Sequence, residues 1–386
     1  MIKKICVVTG GRADYGLLRL LMLEIRKKRQ FQLQVIASGS HFLPKFGSTY
    51  REILKDGFKI NARVDIRPIG DSAVALGQAM GLGVKGISRA LAKLRPDLIV
   101  LLGDRYEILA AASAATLADV PIAHLHGGEL TQGAYDDAFR HAITKMSHLH
   151  FVSTTAYRRR VIQMGESPSR VFQVGALGVD NVLSQKFLSR KDLEKHLKFK
   201  FQKKNILITF HPTTLESGEA AKQTDALLNA LQNFPDLGMV FTMPGADKEY
   251  KIIWKKIKAF AKKNPNAKTF STLGSHIYLS VMKEVDAVVG NSSSGLLEAP
   301  ALKKPVLTIG NRQRGRVRAG CVLDCPNLIL PIRRGIRHVL GQLFREKSRY
   351  GKNPYGNGKT TLRIVKILQR HRQKELHSKA FHDCFP

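Results

Sequence analysis

Histidine and carboxylate side chains follow a short apolar run in the N-terminal half of the chain. The run Pro121–Leu125 contains His124, and His126, two glycines and Glu129 come directly after it. Strand alternation predicts that His124 and His126 share one face. Histidine and carboxylate groups exchange protons near neutral pH, and glycines let the backbone approach a ligand closely. A histidine alone would indicate a core residue, but this combination predicts a proton-transfer site.

A second carboxylate, Asp104, follows the fully apolar run Leu98–Leu102. It is either the N-cap of the next helix or a catalytic group. Arg105 beside it either binds an anion or neutralises Asp104. Asp137 and His141 are one helical turn apart and could pair. The chain has no metal-ligand spacing such as C-x-x-C or H-E-x-x-H, so we expect no metal site.

Two basic residues, Arg12 and His211, lie at or just beyond the ends of apolar runs. Arg12 lies in the glycine-containing turn Thr9–Gly16, where it can hold a phosphate in bidentate fashion, although a plain strand–helix turn has the same composition. The turn lacks the G-x-G-x-x-G spacing, and no P-loop motif occurs, which argues against a dinucleotide dehydrogenase and a P-loop enzyme. His211 either caps its strand or reaches into a cleft.

The turn 290–298 carries the more specific signal for a phosphate site. It joins an apolar strand to a helix through Ser292 and Ser293, so backbone N–H groups, hydroxyls and a helix N-terminus together predict a diphosphate cradle. Glu298 could accept hydrogen bonds from ribose hydroxyls, and Arg312 adds a cation after the next strand. A serine N-cap followed by a helical acid is the alternative interpretation.

Strand-like runs alternate with helical stretches along most of the chain, which predicts βαβ units and parallel sheets. The series extends from Ile5–Thr9 to Val171–Val174, breaks over residues 180–204, and restarts at Asn205–Phe210. We therefore predict an α/β fold with two doubly wound halves joined near residues 175–205. Ligands bind beyond the carboxyl ends of strands in such sheets, and the residues described above stand there.

Composition narrows the class of protein further. The chain has 386 residues, of which 44% are hydrophobic and 24% charged, which is typical of globular proteins and excludes disordered or collagen-like chains. Its four scattered cysteines fit a reducing compartment. No apolar run approaches a bilayer span, and the N-terminal strand pattern lacks a signal-peptide cleavage site. We expect a cytoplasmic protein.

The charge is the unusual quantity, since 63 Lys and Arg against 30 Asp and Glu give a net charge of +33. Such an excess attracts polyanions, including nucleic acid, anionic lipid and phosphorylated ligands. No recognition helix, zinc finger or RNA-binding pattern accompanies it. We interpret it as a basic surface that suits an anionic substrate, and we expect neither nucleic acid nor membrane as a partner.

Several long motifs, in family order from the first strand to about residue 370, resemble the hydrolysing UDP-N-acetylglucosamine 2-epimerases. They are Arg12-Ala13-Asp14-Tyr15, Gly103-Asp104-Arg105, His126-Gly127-Gly128-Glu129, Asp136-Asp137, Arg140-His141-Ala142-Ile143-Thr144-Lys145, His211-Pro212, Gly290-Asn291-Ser292-Ser293, Gly310-Asn311-Arg312-Gln313 and Asn353-Pro354-Tyr355-Gly356-Asn357-Gly358. The resemblance implies the glycosyltransferase-B arrangement, in which two Rossmann-like domains face a cleft. It predicts a sugar-binding catalytic domain over 1–180, a UDP-binding domain over 181–365, and a helix end with a basic tail over 366–386.

The resemblance also implies a reaction. UDP is eliminated from UDP-N-acetylglucosamine to give 2-acetamidoglucal, and water then adds to give N-acetylmannosamine for sialic acid synthesis. A related branch acts on UDP-2,4-diacetamido-2,4,6-trideoxyglucose for legionaminic acid synthesis. No redox cofactor and no obligatory metal are implied, and the expected assembly is a homodimer or homotetramer.

Family roles carry over residue by residue. Asp104 and Asp136 match acid/base carboxylates, and His211 matches a histidine near the diphosphate. The residues that match UDP contacts are Arg12, Arg105, Ser292, Ser293, Glu298 and Arg312. The chain departs from the family where many relatives have H-x-E-G-G-E, because His126 replaces the first glutamate, which is usually counted as catalytic. Either His126 or Glu129 takes that role.

Three alternatives remain open at the level of sequence. A glycosyltransferase of the same fold would need an acceptor, and fold similarity alone does not separate it from an epimerase. A non-hydrolysing epimerase would return UDP-N-acetylmannosamine. A non-enzymatic polyanion-binding protein would explain the charge but not the groups at the strand ends.

Overall fold

A computed structural model describes residues 2–44, 47–66, 73–131, 135–212, 218–244, 249–376 and 378–384. Within these residues the chain forms two compact units. The first unit contains the residues up to Leu130, Tyr135–Asn181 and the segment from Gly358 onwards, and the second contains Thr131 and Val182–Asn357. The domain boundaries expected at residues 180 and 365 stay predictions.

Strands and helices alternate in both units. The strands are β1 (Lys4–Thr9), β2 (Gln32–Ser38), β3 (Ala62–Val64), β4 (Leu98–Leu102), β5 (Ile122–Leu125), β6 (Leu149–Val152), β7 (Val171–Gln173), β8 (Lys204–Thr209), β9 (Leu237–Thr242), β10 (Ala267–Phe270), β11 (Ala287–Gly290), β12 (Val306–Ile309) and β13 (Val322–Cys325). The helices are α1 (Arg12–Arg26), α2 (Tyr50–Lys55), α3 (Ala73–Leu94), α4 (Tyr106–Leu117), α5 (Tyr135–Met146), α6 (Thr155–Gln163), α7 (Leu177–Leu183), α8 (Arg190–Leu197), α9 (Ala220–Leu231), α10 (Tyr250–Lys263), α11 (Gly274–Glu284), α12 (Ser294–Ala301), α13 (Ile329–Val339), α14 (Gln342–Tyr350) and α15 (Thr360–Arg370).

Each unit is built on one parallel sheet. The first has the strand order β3-β2-β1-β4-β5-β6-β7, and the second has the order β10-β9-β8-β11-β12-β13. Every residue of β4 is buried, as expected for a central parallel strand covered by helices on both faces. The order reverses between β1 and β4 in one sheet and between β8 and β11 in the other, which is the doubly wound topology. The predicted fold class is confirmed.

Three strands that the sequence did not predict are β3, β10 and β13. All three are edge strands, and they pair with β2, β9 and β12 respectively. An edge strand buries less of its surface than a central strand, so its sequence needs no continuous apolar run. The polar residues Lys268 and Thr269 in β10 and Asp324 in β13 show this directly.

The C-terminal helix α15 belongs to the first unit. Its apolar face, formed by Ile364, Val365 and Leu368, is part of the same core as the buried face of α1. Asp180 fixes its start by accepting hydrogen bonds from the backbone N–H groups of Thr360 (2.9 Å) and Thr361 (2.8 Å). A carboxylate at a helix N-terminus satisfies free donors and interacts favourably with the helix dipole.

The described tail after α15 also packs on the first unit. The Nζ atom of Lys379 lies 2.8 Å from Oε2 of Glu166, and the backbone N–H of His382 donates to the carbonyl of Gly165 (2.9 Å). Gly165 has a φ of +86°, and a Cβ there would meet the ring of Phe381 at 2.2 Å. Glycine is therefore needed at position 165 both for the left-handed turn and to leave room for the ring of Phe381.

In the described part of the chain, no helix has both the length and the apolar character that crossing a membrane requires. All four cysteines are free thiols.

Candidate active site

In the first unit, the groups expected to transfer protons gather where β4 and β5 end. Gly103 takes a φ of +79° after β4, and Asp104 follows it. The buried guanidinium of Arg140, from α5, donates a hydrogen bond to Oδ2 of Asp104 and another to Oδ1 of Asp137 (3.2 Å). It also donates to the backbone carbonyl of Glu129 (2.8 Å). A single arginine thus holds two carboxylates and the loop after β5 in fixed positions.

Two of the alternatives that the sequence left open for Asp104 and Arg105 do not hold in the structure. Asp104 is not a helix cap, because α4 begins after Arg105, and no side chain caps that helix. Nor does Arg105 neutralise it, since the Arg105 guanidinium donates two hydrogen bonds, at 3.0 and 3.1 Å, to the buried carboxylate of Glu107. Arg140 is the partner instead, 36 residues further along the chain.

His126 and Glu129 form a hydrogen-bonded pair, with Nδ1 of the ring 3.0 Å from Oε1 of the carboxylate. Ser153 donates to the same oxygen (3.2 Å), and the backbone N–H of Leu177 points at Nε2 of His126 at the longer distance of 3.4 Å. Both side chains of the pair are largely buried, with exposures of 12% and 7%. The pair is therefore largely shielded from solvent.

The expectation that His124 and His126 share a strand face is wrong. Strand β5 ends at Leu125, and His126 has a φ of +65°, which turns the chain out of the strand. His124 is a core residue whose ring nitrogens lie 2.8 Å from the Gly103 carbonyl and 3.1 Å from the Thr144 hydroxyl. Burial lowers the pKa of His124 to about 3, so the ring is neutral and structural.

The described residues confirm the pairing of Asp137 with His141, whose Oδ2 and Nε2 atoms are 3.6 Å apart. Asp136, which directly precedes Asp137 on α5, is half-buried. Burial raises the pKa of its carboxyl group, while Arg105 lowers this pKa and Glu107 raises it. A carboxyl group with a raised pKa is a better proton acceptor and donor near neutral pH.

Asp14, at the start of α1, is a further carboxylate that belongs to this group. It accepts a hydrogen bond from the N–H of Gly10 (3.2 Å). Burial raises its pKa to about 6, with Arg105 opposing and Glu107 adding to the increase. The side chain of Arg12 is exposed, and its Nε atom lies 3.4 Å from Oε1 of Glu52.

In the second unit, His211 and Asn291 lie at the reversal point of the sheet. The N–H of His211 donates to Oδ1 of Asn291 (2.7 Å), and Nδ2 of Asn291 donates to the carbonyl of His211 (2.8 Å). Gly290 has a φ of +136°, and a Cβ there would lie 2.1 Å from the carbonyl oxygen of Thr209. The two strand ends are thus held together by backbone contact and one amide side chain.

The serine turn leads into α12 as the sequence predicted. Ser292 accepts a hydrogen bond from the N–H of Ser294 (3.3 Å), and Ser293 directly precedes the helix. Ser294 contacts the hydroxyl of Tyr278 (2.9 Å). Glu298, one turn into the helix, is half-buried, and burial of its carboxyl group raises the pKa. The hydroxyls and the helix N-terminus match a diphosphate-binding turn.

Arg312 and Gln313 complete this second group. Nη1 of Arg312 and Nε2 of Gln313 both donate to the backbone carbonyl of Asn291, at 3.2 and 3.0 Å. The arginine is therefore held beside the serine turn, where its charge favours an anion. Among the described residues, no group of three or more His, Cys, Asp or Glu side chains could hold a metal ion.

Sequence reasoning missed four residues as members of these groups: Asp14, Glu107, Arg140 and Asn291. Asp14, Arg140 and Asn291 lie inside motifs named above, and Glu107 lies two residues after the motif Gly103-Asp104-Arg105. Their partners come from other strands and helices, so only the fold reveals the contacts.

The two Rossmann-like units have the α/β fold of the glycosyltransferase-B type. Residues 23–369 match the model of the family described as UDP-N-acetylglucosamine 2-epimerase. The chain belongs to this family of UDP-sugar 2-epimerases.

Known proteins similar to this chain agree with that assignment. The hydrolysing GDP/UDP-N,N'-diacetylbacillosamine 2-epimerase of Campylobacter jejuni is 44% identical over 323 residues, which cover 83% of this chain and 84% of that protein. Polysialic acid biosynthesis protein P7 of Escherichia coli is 36% identical, with 99% and 98% coverage. The structure of the UDP-GlcNAc 2-epimerase from Neisseria meningitidis bound to UDP-GlcNAc has a TM-score of 0.83 at 21% identity, covering 95% of this chain and all of that chain.

Proposed function

We propose that the chain is a hydrolysing 2-epimerase that converts a UDP-linked 2-acetamido sugar into UDP and the free manno epimer. The observation that carries the proposal is the buried proton-transfer group of the first unit, with Asp104 tied to Arg140 and His126 tied to Glu129. The 44% identical relative and a 33% identical relative from Legionella pneumophila, which covers 100% of this chain and 99% of that protein, are both named as hydrolysing diacetylbacillosamine 2-epimerases.

The first half-reaction is an elimination. The C1–O bond breaks and its electron pair leaves with UDP, while the proton on C2 passes to a base and the C2–H electrons form the C1=C2 double bond. Positive charge develops at C1 because C2–H is barely acidic. A fixed anion stabilises such charge. We assign this stabilisation to Asp104, which Arg140 orients, and the proton transfer to Asp136, whose raised pKa suits it to a base.

The second half-reaction is a hydration of the resulting glycal. Water adds its hydroxyl group to C1, and a proton is delivered to C2 on the face that gives the manno configuration. We assign activation of the water or delivery of this proton to the His126–Glu129 pair. Glu129 holds Nδ1 of the ring, which leaves Nε2, with its long contact to a backbone N–H, as the exchanging atom.

Departure of UDP requires groups that accept negative charge. The N-terminus of α12, the hydroxyls of Ser292 and Ser293, and the guanidinium of Arg312 offer such groups in the second unit. We assign the diphosphate to this turn with His211, and ribose to Glu298. Arg12 and Arg105 of the first unit stay predicted UDP contacts.

The sugar substituents are the finer question. We propose UDP-2,4-diacetamido-2,4,6-trideoxyglucose, which is UDP-N,N'-diacetylbacillosamine, as the preferred substrate, on the names of the two relatives above. UDP-N-acetylglucosamine is the second candidate, since a 28% identical relative from Neisseria meningitidis is named a UDP-N-acetylglucosamine 2-epimerase.

The test measures release of UDP from each of the two UDP-linked donors without any acceptor. Release of GDP from the GDP-linked diacetamido sugar is measured in parallel, because the Campylobacter relative is named for both nucleotides. We expect free sugar and UDP, with the highest kcat/KM for the UDP-linked diacetamido donor. A UDP-linked manno product would identify the non-hydrolysing reaction instead. Turnover that depends on an added sugar acceptor would identify a glycosyltransferase.

A further inference from the structure

Two helices of the second unit, α13 and α14, each present a stripe of basic and apolar side chains to solvent. On α13, the exposed residues Leu330, Arg334 and Arg337 have the spacing i, i+4, i+7, which places them on one face. The opposite face holds the buried Ile332, Ile336 and Val339.

Helix α14 repeats the arrangement. Leu343, Lys347 and Tyr350 again have the spacing i, i+4, i+7, and all three are exposed. Leu343 and Tyr350 are 84% and 86% exposed, which are high values for such large apolar or aromatic side chains. Contact of these side chains with water adds nothing to the stability of the fold.

The two stripes meet in one cavity. Arg334, Arg337 and His338 from α13, with Leu343 and Phe344 from α14, line a hollow of about 500 Å³. Within the described residues, neither Arg334 nor Arg337 makes an ion pair with a carboxylate. We define the α13–α14 surface as the exposed residues of the two stripes, of which Arg334, Arg337 and Leu343 line the hollow. The residues of this surface are Leu330, Arg334, Arg337, Leu343, Lys347 and Tyr350.

The local charge of α13 and α14 is strongly positive. Residues 329–352 contain seven Lys and Arg residues against the single acid Glu346. An anionic partner is therefore attracted, and the protruding leucines and tyrosine require a partner with an apolar layer directly beneath its charged surface. Nucleic acid offers the charge without that layer, whereas an anionic bilayer offers both.

We propose that the α13–α14 surface docks the protein on a membrane that contains anionic lipid. The arginines and Lys347 contact the headgroups, while Leu330, Leu343 and Tyr350 enter the boundary between headgroups and acyl chains. The inference does not depend on the reaction catalysed, and it gives part of the +33 charge a role. It differs from the sequence-based expectation that the membrane is not a partner.

The test is co-sedimentation of the full chain with vesicles of phosphatidylcholine alone and of phosphatidylcholine mixed with phosphatidylglycerol. We expect binding to the mixed vesicles only, and we expect added salt to weaken it. Because each basic residue near an anionic surface contributes about 1 kcal/mol, Arg334→Ala with Arg337→Ala should weaken binding at least about tenfold. UDP-sugar turnover without vesicles should stay unchanged in this variant, which shows that it is folded.

Matched variants separate this surface from the general charge. Lys255→Ala with Lys262→Ala removes the same charge from an exposed face of α10, another basic helix, and should leave binding nearly intact. Leu343→Asn should weaken binding, whereas Leu117→Asn should not, although Leu117 is 81% exposed and so resembles Leu343.

Three results would overturn the proposal. The first is absence of binding to anionic vesicles. The second is an equal loss in both double variants, because charge alone would then be responsible. The third is a duplex DNA that binds the protein more tightly than the vesicles do and is insensitive to Leu343→Asn, because that behaviour indicates a nucleic-acid surface.

Discussion

Arg140 donates a hydrogen bond from a buried position on α5 to Asp104 at the end of β4. The same guanidinium holds Asp137 and the carbonyl of Glu129. One side chain therefore sets the relative positions of groups from a strand end, a helix and a glycine loop. This relationship gives Arg140 a positioning role, because it acts through the carboxylates that it holds.

Arg140→Lys should lower kcat by about 100-fold with a smaller effect on KM. A lysine ammonium lacks the planar fork and does not reach all three acceptors, and a displacement of about 1 Å at a reacting group costs a factor of that size. Steady-state kinetics of UDP release measure the effect. Arg158→Lys is the matched control, since Arg158 donates to the carbonyls of Val171 and Pro168. Equal kcat values in both variants would contradict the role of Arg140.

His126→Asn should fold and lose about 10²- to 10⁴-fold in kcat, the usual contribution of a general acid or base. Asparagine tolerates the left-handed backbone at this position, and its amide can still donate to Glu129. Glu129→Gln should cost a similar factor. Because the two act as a unit, the double variant should be no slower than the worse single variant. Fully multiplicative losses would show that His126 and Glu129 act independently.

The acid limb of kcat/KM should report Asp136, and two neighbours should move it in opposite directions. Arg105 lowers the pKa of Asp136 and Glu107 raises it. Arg105→Gln should therefore shift the limb to higher pH, and Glu107→Gln should shift it to lower pH. The pH dependence of UDP release measures both shifts. If the acid limb moves in the same direction in the two variants, or moves in neither, Asp136 is not the base.

Glu166 should link stability to acid pH. Burial acts to raise its pKa, but hydrogen bonds from His150, Lys145 and Lys379 outweigh it and lower the pKa from 4.5 to about 2. The stabilisation by the Glu166 carboxylate is therefore complete above pH 5, and it is lost as the pH falls from 5 to about 2. Glu166→Gln should lower the free energy of unfolding by about 3 kcal/mol at neutral pH, because it removes the buried carboxylate that pairs with Lys145 and Lys379.

Denaturant unfolding of the wild type and of Glu166→Gln at several pH values checks this prediction. The difference between the two proteins should shrink steadily from pH 5 to pH 2. Glu24→Gln is the control, since Glu24 pairs with Lys27 near solvent, and it should change stability little at any pH. A difference for Glu166→Gln that stays constant down to pH 2 would contradict the linkage.

The sequence predicted the central strands and the serine turn before α12 because these features are local. A continuous apolar run such as Leu98–Leu102 and a serine turn such as 290–294 are complete within a few residues. The edge strands β3, β10 and β13 were missed, since half-exposed strands carry no such run. The partner of Asp104 was missed for another reason: Arg140 reaches it only after the chain has formed β5 and turned into α5.

His126 shows the limit of pattern arguments most clearly. Alternation along β5 predicted that His126 shares a face with His124. His126 has a left-handed φ of +65°, so the alternation does not extend to it. Two glycines follow at once, so the local composition already favoured a turn. His124 is a neutral core histidine, whereas His126, only two residues later, is paired with the carboxylate of Glu129.

Proton NMR of the reaction in deuterated water tests the central claim most directly. The protein is incubated with UDP-2,4-diacetamido-2,4,6-trideoxyglucose and, in parallel, with UDP-N-acetylglucosamine. We expect free UDP and a free manno sugar that carries deuterium at C2, because elimination removes that hydrogen and hydration returns one from solvent. A free sugar that keeps its original hydrogen at C2, or two donors that remain unchanged, would contradict the proposed elimination and hydration.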